Sequence, residues 1–189
     1  ARLLARQAAT RPVLRDLQRH ATAWNADGDV LSLRAYFAPL LAASDPRIRK
    51  IALRELDTLP YTVLRGGQYP VESTRLLQDI AKIDEAPFAP IRILLLGLDG
   101  GAHARAAIVD RLELMARLGI HTNLGAWLTA DIESRGTVAL SDFERAFLHG
   151  EGQLRERQRN EIANFLSPVR AEADPSLRPA VAATIRRLA

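Results

Sequence analysis

The chain has 189 residues, 48% hydrophobic, 25% charged and 5% aromatic, with no cysteine. That composition excludes a disulfide-stapled miniprotein, a cysteine-ligated zinc or iron–sulfur site, and a disordered tail, and it leaves one or at most two domains that can bury roughly 70% of their unfolded surface. Basic residues outnumber acidic ones by only 26 to 22, and just Lys50 and Lys82 among them are lysine, so the excess reads as the Arg usage of a GC-rich coding sequence rather than a phosphate-tracking stripe. Along the chain, Ala, Leu, Arg, Glu and Gln dominate and β-branched residues never alternate with polar ones over a strand's length, which predicts an all-α protein. The periodicity places helices over Pro12–Ala26, Asp29–Ala43, Pro46–Leu56, Val71–Lys82, Pro87–Leu98, Ala102–Leu118, Leu124–Arg135, Val138–His149, Leu154–Leu166 and Ser176–Leu188, with a shorter turn at Pro60–Arg65. Proline and glycine fall between these segments, and Gly66–Gly67, Gly100–Gly101, Gly119 and Gly136 read as helix stops.

The most regular segment is 102–118, where Ala104, Ile108, Leu112, Met115 and Leu118 recur at helical spacing and predict one buried face. The longest apolar run, Ile91 to Leu98, is broken by Arg92 and is far short of the roughly 18 residues a bilayer span needs, so no membrane insertion is expected. The chain opens on Ala1 and Arg2, which reads as a processed or trimmed product, and the lack of thiols leans towards an extracytoplasmic location. Around Glu151–Glu161 the charges alternate in sign, the pattern of a solvated helix face.

Internal repetition carries most information. Asp45-Pro46-Arg47-Ile48-Arg49 is matched by Asp174-Pro175-Ser176-Leu177-Arg178, an offset of 129 residues or three steps of 43. One step from Asp45 falls at Phe88, beside Pro90-Ile91-Arg92 with one residue deleted; the next falls on Asp131, where nothing matches. The motif has a mechanical logic: the Asp side chain caps free amides, the following Pro is preset for the first turn, and Ile48, Ile51, Leu53 and Leu56, or Leu177, Val181 and Ile185, supply the apolar stripe. The Arg offers a local ion pair or a contact to the neighbouring unit.

Asp-Pro-x-Ile-Arg-x-x-Ala-x-x-x-Leu resembles the opening of a HEAT-like repeat, and a spacing near 43 lies within the roughly 40–47 residues of such units. The resemblance rests on Asp45, Pro46, Arg49, Ala52 and Leu56, with Pro90, Arg92, Asp174, Pro175 and Arg178 as further positions. It implies a single domain over 1–189 in which 1–43 form capping helices and 44–189 form antiparallel helix pairs, stacked into a curved superhelix that is irregular at its N-terminus. It also implies a concave face that holds another macromolecule; some HEAT-like proteins bind nucleic acid there, and others are phycobilin lyases.

Catalytic patterns are thin. His20, His103, His121 and His149 form no His-x-x-x-His pair, Asn25–Asp29 lacks the glycine and closing acid of a calcium loop, and Gly97–Gly101 follows a helix rather than a strand. No Gly-x-Ser-x-Gly elbow and no thiol nucleophile occur, and no cofactor is implied. Two segments stand out. Leu59–Pro70 holds Tyr61, Arg65 and Tyr69 with two glycines, residue types suited to an interaction loop, although Tyr61 and Leu64 equally complete a packed helix. At 120–127, Thr122 or Asn123 is placed to cap a helix, which sets His121 and Asn123 near an amide-rich terminus able to hold an anion, while Trp127 reads as core. The function these features predict is a non-catalytic scaffold that binds a protein or peptide on a concave helical face, the alternative being nucleic-acid binding on an Arg-lined one.

Overall fold

Each element begins where a local signal places it. In the computed structural model, which describes residues 15–16, 29–149, 154–172 and 175–188, ten α-helices and no strand occur among the described residues. Of the helix expected over 12–26, only Arg15 and Asp16 are described, and they are helical; the rest, like Asp174, lies outside the described residues. The chain divides into two compact units, Ala1–Val71 and Glu72–Ala189.

In the first unit Asp29 caps α1 (Val30–Phe37) by accepting from the Ser32 amide at 3.0 Å, and Pro39 turns the chain into a 3₁₀ segment over Ala38–Ala42. Asp45 caps α2 (Pro46–Asp57) through the Arg47 amide at 2.9 Å with Pro46 in the first turn, as the motif predicts. A short α3 (Tyr61–Arg65) follows Pro60. The buried seam of α2 is Ile48, Ala52, Leu53 and Leu56. Ile51, expected in that seam, is half-buried, because four-residue steps from Ile48 put Ala52 and not Ile51 on the inner face.

The second unit comprises α4 (Ser73–Ile80), a 3₁₀ segment over Ile83–Phe88, α5 (Ala89–Asp99), α6 (Ala102–Leu118), α7 (Leu124–Arg135), α8 (Thr137–Phe143), a π turn over Glu144–Leu148, α9 (Glu156–Glu172) and α10 (Arg178–Leu188). Helix α7 is its centre: Ala126 to Ile132 are all buried, and α5, α6, α8 and α9 pack around it. It meets α5 where Gly97 faces Ala130 so closely that a Cβ on Gly97 would lie 2.5 Å from the Ala130 Cα. Gly100 and Gly119 end α5 and α6 in the left-handed conformation that a side chain disfavours, at φ 64° and 62°.

Three expectations change here. Leu118 is 61% exposed, because the inner face of the last turn of α6 is taken by Met115 and Ala116, and Ala116 takes its place in the buried set. Helix α10 opens at Arg178–Pro179, with Pro175 in the preceding turn, and its seam is Val181, Thr184 and Leu188; Ile185 is half-buried. Thr184 can sit inside because its hydroxyl donates to a carboxylate oxygen of Glu144 at 2.5 Å. Helix α9 runs past Leu166 to Glu172, and α10 packs against it.

Candidate functional site

The residues singled out in the sequence separate into three places. In the first unit, Tyr61 is buried on the inner side of α3, and Arg65 is half-buried. Tyr69 folds back, its hydroxyl donating to the Leu64 carbonyl at 2.8 Å, while an Arg34 guanidinium N–H donates to Val63 O at 2.6 Å. Burial raises the Tyr69 phenol to about 12 against the opposing pull of Arg34. A Cβ on Gly67 would lie 2.6 Å from that hydroxyl, and one on Gly66 2.9 Å from the Arg34 guanidinium, so the glycines make room for these two side chains; Gly66 ends α3 at φ −77°, not in the left-handed region. The segment closes on itself.

The repeat positions perform related local work. Arg49 donates to the carbonyls of Ala43 and Ser44, at 2.7 and 2.9 Å, where the preceding 3₁₀ segment ends. Arg92 reaches back in the same sense, to the Glu85 carbonyl at 3.3 Å and the Glu85 carboxylate at 2.6 Å. It is only 4% exposed, lies over the Phe88 ring, and has Asp79 as a second acid at 3.9 Å. Burial works against the Asp79 carboxylate, but its Lys82 hydrogen bond and the charges of Arg92, Lys82 and Arg75 outweigh it and hold Asp79 below its ordinary value. Pro90 lies in the first turn of α5, which has no side-chain cap, and Pro175 and Arg178 are exposed.

His121 and Asn123 come together at the head of α7, in a cleft of about 200 Å³ closed by α9 and by Pro90. Asn123 occupies the cap position with a left-handed backbone, φ 57°, and its side chain makes no capping bond. The expected side-chain cap is therefore replaced by backbone turns, Leu124 N to His121 O at 3.1 Å and Trp127 N to Asn123 O at 3.0 Å, because capping by the side chain requires extended backbone there. The first-turn amides of Gly125 and Ala126 thus remain directed to the cleft end of the helix. His121 Nδ1 lies 2.8 Å from the Gln158 side-chain nitrogen, which in this orientation donates to it. Glu161 also lines the cleft and is tied to Arg157 at 3.0 Å. Apolar walls come from Leu124, Ile162 and Phe165, the last packed so tightly that a Cβ on Gly125 would meet its ring at 2.7 Å. Phe165 is 38% exposed, and Ile120, next to His121, 43%. Trp127 is core, as expected, with the Arg111 guanidinium 5.8 Å from its ring centroid.

A second cleft, of about 210 Å³, escaped sequence reasoning. Arg135 grips the buried Asp131 through two parallel bonds of 2.7 and 2.5 Å and donates to Asp142 at 2.7 Å; Arg145, on the π turn, holds the other Asp142 oxygen at 2.8 Å. The Arg135 bond first, against burial, and then the Arg135 and Arg145 charges keep the Asp142 carboxyl below its ordinary value, and the Asp131 bond first raises that of Arg135. Glu113, Val109 and Leu112 of α6 and the stacked Phe143 and Phe147, 5.2 Å between centroids, complete the lining. The available signal was the four-residue spacing of Asp131 and Arg135; Asp142 joins them only because Gly136 turns α8 against the end of α7.

No family model, curated protein or solved structure matches this chain. Among the described residues, no group of three His, Asp or Glu is placed to hold a metal ion, and no helix is long and apolar enough to cross a membrane. The cleft at the head of α7 presents backbone donors, a histidine, an amide and a carboxylate beside partly exposed apolar side chains. Such a surface can seat an amphipathic segment by burying apolar contacts while matching a few polar groups.

Proposed function

We propose that the chain is a non-catalytic interaction module that takes up a protein or peptide segment on the helical surface of its second unit, in the cleft at the head of α7. The observation that carries this reading is the composition of that cleft. Its ionisable groups are partnered by structural contacts, His121 with Gln158 and Glu161 with Arg157, while Phe165 and Ile120 remain partly exposed beside them. Rigid helix ends supply the contacts, so little chain entropy is lost on binding. The HEAT-like organisation belongs to the same proposal, and the equivalent behaviour of Arg49 and Arg92, each reaching back to the segment before its helix, supports it. Nucleic-acid binding has weaker support, because Arg145, Arg157 and Arg187 each lie against an acid instead of forming a basic stripe.

The test is selection from a displayed peptide library on the full chain, followed by calorimetric titration of the enriched peptides against wild type and Phe165→Ala. An enriched consensus whose affinity falls at least tenfold in the variant supports the module. Failure of any peptide to enrich, or equal affinity for both proteins, overturns it. Steeply salt-dependent retention of duplex DNA or RNA would instead support the nucleic-acid reading.

A further inference from the structure

The cleft between α6, the end of α7 and the π turn has unbalanced charge. Asp131, Asp142 and Glu113 supply three carboxylates and Arg135 and Arg145 two guanidiniums, leaving one negative charge in excess. The imbalance can be assigned to one residue. Asp131 is satisfied by the two-point grip of Arg135, and Asp142 by Arg135 and Arg145 together. Glu113, exposed on the rim, makes no ion pair or hydrogen bond among the described residues.

The floor is apolar, made by Phe143 and Phe147, and the volume of about 210 Å³ is below the roughly 300–1,000 Å³ of sites that enclose whole small-molecule ligands. It suits one long side chain. The π turn shapes it: the His149 amide bonds to Glu144 O, five residues back, at 3.1 Å, and Arg145, Ala146 and Phe147 of this widened turn all line the cleft. Such turns recur where a helix is adapted to a site. Phe147 also meets the ring of His121, which lines the cleft at the head of α7, edge-on at 6.3 Å between centroids.

We infer that this second cleft receives a basic side chain, Lys or Arg, of the bound partner segment, its aliphatic stem against Phe143 and Phe147 and its cationic head at Glu113. The inference deepens the interaction-module reading and depends on it only for the identity of the carrier, since the cleft chemistry can be tested with small probes. Lys and Arg are the side chains that combine an apolar stem with a charged tip.

The experiment is a two-dimensional NMR titration of the full ¹⁵N-labelled chain with N-acetyl-lysine amide, N-acetyl-arginine amide and, as controls, the glutamate and alanine equivalents. The cationic probes should give saturable shifts confined to the amides around Glu113, Asp142, Arg145 and Phe147, weakened at least fivefold in Glu113→Gln and by added salt. Glu113 is exposed and makes no hydrogen bond or ion pair among the described residues, so this variant keeps the fold, which the unchanged remainder of its spectrum verifies. No localised shifts, equal shifts from the glutamate or alanine probe, or an unchanged response in Glu113→Gln overturn the inference. Saturable cation binding without any enriched peptide would instead sink the module reading alone, and enriched peptides whose affinity is indifferent to Glu113→Gln would sink this inference alone.

Discussion

Substitution of Gly97 by alanine sets two effects against each other. Glycine inside a helix is about 1 kcal/mol less favourable than alanine, so on helix propensity alone Gly97→Ala stabilises α5. The packing demands the reverse. The added Cβ would lie 2.5 Å from the Ala130 Cα, 2.8 Å from its Cβ and 2.9 Å from its carbonyl oxygen, where comfortable separations are about 3.5–4.0 Å. Two of those atoms are backbone, so no rotamer change relieves them, and α5 and α7 must part by roughly 1 Å. A gap of that size forfeits between about a quarter and a half of the dispersion energy of each contact it opens. The opening falls in the most buried interface of the second unit, between the α5 face carrying Ile93 and Leu96 and an α7 buried over seven consecutive residues. Overpacking of this kind costs about 3 kcal/mol, which leaves a net destabilisation of about 2 kcal/mol after the helical gain. Thermal unfolding followed by circular dichroism should show the midpoint fall by roughly 5–10 °C, with a matching drop in the urea midpoint. Adding Ala130→Gly should recover little, since it removes one clashing atom and leaves the two backbone atoms. A Gly97→Ala protein as stable as wild type, or full recovery in the double variant, would refute the close approach of α5 to α7.

Arg92→Met should take the guanidinium away from the buried Glu85 carboxylate and cost about 3–5 kcal/mol, whereas Arg92→Met with Glu85→Gln should regain most of it; urea midpoints of the three proteins decide, and a single variant within about 1 kcal/mol of wild type would show that the Arg92–Glu85 pair does not hold that charge. Tyr69→Phe should cost about 1 kcal/mol by leaving the Leu64 carbonyl without its hydroxyl donor. Because folding raises the Tyr69 phenol from 10.0 to about 12, its contribution is fully present below pH 10 and lost as pH climbs through 12. Alkaline ultraviolet difference spectra should therefore contain a phenol titrating near 12 that vanishes in Tyr69→Phe; persistence of that step in the variant would assign it elsewhere.

What the sequence discloses divides by range. Signals confined to a single turn read correctly: Asp45 and Pro46 open α2, Gly100 and Gly119 close α5 and α6, and the all-helical class follows from propensity and period. Seams are legible to within one or two residues, and the misplacements of Ile51, Leu118 and Ile185 share a cause, since periodicity marks a stripe but the packed neighbour decides its edge. The sequence leaves the cap of α7 between Thr122 and Asn123, and whether side chain or backbone closes the turn at Asn123 depends on a φ angle that sequence leaves open.

The second cleft illustrates the remaining gap. Asp131 appears in the sequence only as the place where the 43-residue repeat fails, and its burial would be costly without a cation. Arg135, one turn along, supplies that cation, and once Arg135 is fixed its free edge faces Asp142 across the α7–α8 turn, which in turn draws in Arg145. A chain of pairings across three elements thus follows from one buried acid. Counting charges reveals only a small net excess, whereas tracing who neutralises whom isolates Glu113 as the carboxylate left over. Within this cleft the unneutralised charge is that of this residual acid, which the chain-wide excess of basic residues conceals.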